Sequence, residues 1–138
     1  MLIRNFTEAF RAAGYELSSP RSQWSAIRAD GKAVVVTVWT DEIIKSKEPW
    51  EVDLRGHPRL SIWKDKPGNA IRKRHVRYAL DHCGGSFDII LCKAVDPTKN
   101  TRTVEWARPW KERRGVILPD EFDETTGEYR LRLIPAEK

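Results

Sequence analysis

Trp24-Ser25-Ala26-Ile27-Arg28-Ala29-Asp30-Gly31-Lys32-Ala33-Val34-Val35-Val36-Thr37-Val38-Trp39 is the stretch that decides the fold. Asp30-Gly31 is the strongest two-residue hairpin signal in the chain, and residues 24–29 and 32–40 on either side of it read as strands. From Ala33 to Trp39 the second strand is apolar on both faces. Such a strand is central and covered on both sides, or closes part of a small barrel. It runs out into Thr40-Asp41-Glu42, a polar cluster expected at the sheet rim.

Upstream, Asn5-Phe6-Thr7-Glu8 resembles a capping box with Asn in the Ser/Thr place. Phe6, Ala9, Phe10 and Ala13 repeat at helical spacing, and Gly14 sits where a C′ glycine belongs. Downstream, residues 41–68 mix charges with Pro49, Gly56, Pro58, Pro67 and Gly68. Within them, residues 50–54 and 59–63 alternate like short strands. Pro67-Gly68-Asn69 opens the best helix, Ala70 to about Cys83, closed by Gly84-Gly85. Its apolar side carries Ile71, His75, Ala79, His82 and Cys83, with Val76 and Tyr78 flanking. Arg72 falls inside that apolar sector, whereas Lys73, Arg74, Arg77 and Asp81 fall opposite. Four further strands are expected, at residues 87–94, 102–106, 115–118 and 128–133. In the last of these Tyr129, Leu131 and Leu133 face the core, and Arg130 and Arg132 face water. The pattern predicts a single α+β domain over residues 1–138, with a small, strongly curved mixed or antiparallel sheet or a partly open barrel and two main flanking helices.

The chain has 138 residues, 40% hydrophobic and 33% charged, with a net charge of +5, which excludes global disorder and permits an anionic partner. No apolar run reaches the roughly 18 residues of a membrane span, so no membrane association is expected. Met1-Leu2-Ile3-Arg4 turns polar at once, so no secretory leader is expected. Cys83 and Cys92 lie in apolar contexts and read as reduced thiols of a cytoplasmic protein.

Phosphate-binding, dinucleotide and zinc-protease signatures are absent, and no cofactor is expected. His75 and His82 stand two turns apart on one helix, roughly 10 Å at helical rise and too far to share one ion, so no metal site is expected. Cys83 beside His82 reads as a packed thiol, not a nucleophile. Asp41, Glu42 and His75 would be the members of a metal-dependent nuclease or hydrolase site, which ranks below two non-enzymatic readings.

The basic residues carry more information. Arg72, Lys73, Arg74, His75 and Arg77 crowd the first turns of the long helix, where cations oppose the helix dipole but make a phosphate seat. A second group, from Lys93 to Arg114, is interleaved with Trp106 and Trp110. Arg and Lys beside Trp suit backbone neutralisation with base stacking. Six Trp residues are too many to be placed deep inside so small a domain, so one or two are expected to line a pocket.

Val38-Trp39-Thr40-Asp41-Glu42, Arg74-His75-Val76 and Cys92-Lys93-Ala94-Val95-Asp96 together resemble a group of bacterial proteins built around a V-W-x-D-E element, loosely from Trp24 to Ile134. That likeness implies an intact domain and carries no activity with it. In layout the chain also resembles PUA-like domains of the EVE and YTH type, which implies a curved sheet and an aromatic pocket for a modified base.

The leading expectation is a nucleic-acid-binding module, for DNA or RNA, that reads a modified or flipped base. Trp39 or Trp63 would stack on the base, and Asp41 or Asn69 would bond its edge. Arg72, Lys73 and Arg74, beside His75, would hold phosphate, and Arg108 with Trp110 would extend the track. The alternative is a protein-interaction or regulatory module that covers an acidic protein partner.

Overall fold

The structure, a computed structural model, describes residues 5–19, 22–99 and 102–136. The Met1-Leu2-Ile3-Arg4 segment lies outside them. Helix α1 (Phe6–Ala12) is capped as its sequence predicts, with the Glu8 N–H donating to Asn5 Oδ1 at 2.8 Å. Strands β1 (Ser25–Ile27) and β2 (Val34–Trp39) form the expected antiparallel hairpin. Then follow β3 (Trp50–Asp53), a short helix α2 (Leu60–Trp63), the long helix α3 (Pro67–His82), β4 (Ser86–Ala94), β5 (Val104–Pro109), β6 (Arg113–Val116) and β7 (Arg130–Pro135).

The strands make one mixed sheet in the order β1-β2-β4-β6-β7-β3, with β5 also paired to β4, curled into a half-barrel. The β2–β4 pair is parallel and the others are antiparallel. One edge of β4 follows β2 along its length. Its other edge pairs with β6 near Phe87 and with β5 from Ile90 to Ala94. Sharing one edge between two partners bends the sheet round.

β2 is central, as its two-sided apolar run requires. Val34, Val36 and Val38 point into a core with Phe87, Ile89, Leu131, Leu133 and the α3 residues Val76 and Ala79. Val35 points to the other face, where Phe10, Tyr15, Ile90 and Cys92 pack beneath α1. Tyr129, just before β7, and Leu131 and Leu133 within it are buried as predicted. The alternate residues Arg130 and Arg132 lie on the other face and share Glu121. Cys83 and Cys92 are free thiols, and burial raises the pKa of Cys92. Among the described residues no helix is long and apolar enough to cross a membrane.

Three expectations need correction. Residues 59–63 are not a strand but the helical turn α2. Alternation over five residues does not separate a period of 2 from one of 3.6. A helical turn also lets the consecutive Ile62 and Trp63 line one cavity, which a strand would send to opposite faces. The buried stripe of α3 is Asn69, Arg72, Val76 and Ala79, displaced from the His75–His82 line, and His82 is exposed. The helix also starts at Pro67, three residues early, because proline's fixed φ suits the first helical position and needs no N–H there.

Candidate functional site

A cavity of about 360 Å³ opens where the end of β2, the segment after it, α2 and the first turns of α3 meet. Indoles Trp24, Trp39 and Trp63 line it, with Phe6 and Ile62 completing the apolar wall. None of the three indoles is fully buried.

Each ring is fixed by a local cause. Trp24 precedes β1, and its carbonyl accepts from the Thr37 backbone N–H at 3.1 Å and the Thr37 hydroxyl at 3.2 Å. Its indole lies on the first turn of α3 at Gly68, where a Cβ would stand 2.2 Å from Trp24 Cε2. Only glycine lets the ring lie so close. Trp39 closes β2 and is held edge-on by Phe6, with ring centres 6.1 Å apart. Trp63 ends α2 and donates from Nε1 to His57 Nδ1 at 3.3 Å.

His57 is itself fully engaged. Its Nδ1 also accepts from the Arg59 backbone N–H at 3.0 Å, so the ring proton sits on Nε2, which donates to Glu42 Oε2 at 2.7 Å. Both nitrogens are spent on orienting Glu42 and Trp63. This leaves His57 no lone pair with which to act as a general base.

Arg72 is the most unusual group of the site. It is 7% exposed, it lines the cavity, and among the described residues it forms no ion pair. Its Nη2 reaches Asn69 Oδ1 only at 3.4 Å, and its buried Nε has no hydrogen-bond acceptor. Three rings surround the guanidinium instead: Trp24, Tyr129 and Trp63, with centres 5.0, 5.2 and 5.3 Å from Cζ. Desolvated cation–π contacts are worth about 2 kcal/mol and offset part of the cost of burying the charge.

Four cations line the cavity, Arg59, Lys66, Arg72 and Arg102, against the single carboxylate of Glu42. Arg102 is neutralised by Asp41 at 2.6 and 2.8 Å and lies over Trp39, 5.2 Å from the ring centre. Burial pushes the Asp41 carboxyl up, but the hydrogen bonds and charge of Arg102 outweigh it and hold the pKa below the usual range. The hydroxyl of the buried residue Tyr129 registers both charges of the inner cavity. Burial raises its pKa, Arg72 opposes the shift and Glu42 adds to it.

Of the expected residues, Trp39, Trp63 and Arg72 line the cavity, Asp41 and Asn69 adjoin it through Arg102 and Arg72, and the others lie outside its lining. Asp41 has both oxygens on Arg102. Asn69 is fully buried, donating to the carbonyls of Lys64 and Thr126, each at 2.8 Å, so it orients Arg72 and has no free edge for a base. Lys73 reaches away to the Thr125 carbonyl at 3.2 Å, and Arg74 is exposed outside the cavity lining. The start of α3 is not an open phosphate seat, because Trp24 lies on it. His75 is a packed helix histidine, its Nδ1 2.7 Å from Ser25 Oγ. Burial, helped by the charge of Arg74, lowers its pKa to about 4. Arg108 pairs with Glu112 at 3.7 Å, and Trp110 packs on Trp50 with ring centres 6.5 Å apart. Neither lines the cavity.

Asp41, Glu42 and His75 each face a different partner, so no nuclease-like triad forms. Among the described residues no three His, Cys, Asp or Glu side chains converge on a metal-sized site. Trp24, His57, Arg59 and Lys66 had no signal in the sequence, since their convergence depends on how α2 folds over the end of β2.

No protein-family model, curated protein or solved structure matches this chain. Its chemistry has to be read from these side chains.

Proposed function

We propose that this cavity takes a single nucleotide flipped out of a nucleic-acid strand, with the base against the indoles and the flanking phosphates at the cationic mouth. The observation that carries the reading is the Arg72 guanidinium, buried among aromatic rings with no carboxylate to neutralise it among the described residues. A cavity of about 360 Å³ falls within the roughly 300–1,000 Å³ of ligand pockets and leaves room for a base with its sugar.

Charge decides between two occupants that aromatic walls attract. Indoles with a carboxylate also suit a quaternary ammonium ion. With Arg102 neutralised by Asp41, the three remaining cations Arg59, Lys66 and Arg72 still outnumber the carboxylate of Glu42, repel such a ligand and favour one that carries phosphate. A base flipped between aromatic side chains, its backbone held by Arg and Lys, satisfies both the walls and the charge. A base bearing an added methyl group meets the same walls.

The test is a salt titration with a labelled single-stranded oligonucleotide of mixed sequence, followed by anisotropy. Arg59 and Lys66 are the mouth cations not already bonded to a carboxylate among the described residues. Two phosphate contacts give a slope of log K against log salt of about −1.4. A flat dependence, or no binding at low salt, refutes the reading.

A further inference from the structure

Arg72 and Glu42 line one cavity with opposite charges, yet they form no ion pair. Each is held back from the other. Three aromatic rings and Asn69 fix the guanidinium, and His57 fixes the carboxylate through Oε2. Among the described residues Glu42 Oε1 accepts no hydrogen bond. The cavity lining therefore holds a guanidinium whose Nη1 has no acceptor among the described residues and a carboxylate oxygen with no donor. The indoles of Trp24, Trp39 and Trp63 line the same cavity and suit a flat ring.

A ligand that completes this set needs adjacent acceptors for the guanidinium and donors for the carboxylate. Guanine has both, with O6 and N7 as the acceptor pair that arginine bonds most often, and N1–H and N2–H₂ as adjacent donors for a carboxylate. Adenine offers arginine N7 beside an amino group that repels it. Thymine and uracil offer a carboxylate one N–H. Cytosine offers two acceptors but a single donor nitrogen. From this match, and resting on the nucleotide reading above, we propose that the cavity is selective for guanine, with Arg72 reading O6 and N7 and Glu42 reading N1–H and N2–H₂.

The experiment changes the ligand and leaves the protein intact, so folding is not in question. Short oligothymidylates with one central guanosine, 7-deazaguanosine, inosine, adenosine or cytidine are titrated, with guanosine monophosphate as a separate arm. The guanosine strand is expected to bind tightest. Removing N7 (7-deazaguanosine) or the amino group (inosine) should weaken binding by about 5-fold or more, and adenosine by about 5- to 150-fold. Equal affinity for every strand overturns the guanine selectivity and leaves the flipped-nucleotide reading standing. Failure of all strands while guanosine monophosphate binds, losing affinity on 7-deaza substitution, overturns the strand and keeps the base. Failure of every ligand overturns both.

Discussion

The Arg72 guanidinium lies 5.0 Å from the centre of the Trp24 ring, and that ring lies on the one turn of α3 where Gly68 gives it room. The cation and its aromatic wall are thus set by one contact between the strand hairpin and the long helix. Three consequences concern this contact and the residues round it.

Arg72→Met removes a buried charge that no carboxylate neutralises among the described residues, together with the three aromatic contacts that partly compensate it. Loss and gain are of similar size, so unfolding free energy should stay within about 1 kcal/mol of wild type. Oligonucleotide affinity should fall at least about tenfold. Denaturant unfolding and anisotropy measure the two separately. A residue kept only for packing would give the opposite pattern, lower stability with affinity retained.

Gly68→Ala places a methyl group 2.2 Å from Trp24 Cε2, so the indole must move into the cavity. Overpacking of this kind costs roughly 1–3 kcal/mol. The expected result is a lower denaturant midpoint together with weaker binding and altered tryptophan emission. Unchanged emission would show that the ring does not lie on that turn.

Lys73→Gln and Arg74→Gln test the correction to the basic cluster. Both residues lie outside the cavity lining, and Lys73 is bonded to the Thr125 carbonyl. Each variant should bind an oligonucleotide within about twofold of wild type at moderate salt, whereas Lys66→Gln should lower the salt slope by about 0.7. Anisotropy titrations at several salt concentrations compare all three.

His75 gives a pH dependence. Its pKa falls from 6.5 to about 4 on folding, with burial as the main cause and Arg74 adding to it. Between those values the unfolded chain binds a proton that the folded chain refuses, so stability rises with pH across the window and is lost as the medium is acidified from 6.5 towards 4. His75→Asn keeps a polar partner for Ser25 without the titration. The melting temperature of wild type should drop relative to this variant as pH falls from 6.5 to 4. Parallel melting curves would contradict the burial of the neutral imidazole.

Much of the fold was legible because it rests on local rules. The two-sided valine run fixed β2 as central, the Asn5 cap and Gly14 bounded α1, and the alternation of residues 129–133 chose the buried face of β7. The site was legible only in part. Arg72 stood out because a cation inside an apolar stripe breaks the periodic pattern, and Trp39 and Trp63 because six indoles are too many to bury in so small a domain. Lys73 and Arg74 stand apart from the cavity because consecutive helix residues are spread by about 100° each, so neighbours of a buried arginine face elsewhere. Trp24, His57 and Lys66 were invisible since nothing local says that α2 turns helically and closes over β2. Asn69 was read as a ligand-facing amide because its two backbone acceptors, on Lys64 and Thr126, lie on other segments.

The most direct test of the central claim is the quenching of intrinsic tryptophan fluorescence on titration with a single-stranded oligonucleotide, in wild type and in Trp63→Ala. Stacking of a base in the cavity predicts saturable quenching in wild type. In Trp63→Ala it predicts an affinity lower by about 1–3 kcal/mol, with folding confirmed by circular dichroism. Binding of equal strength in both proteins, or saturation without any change in emission, would contradict it.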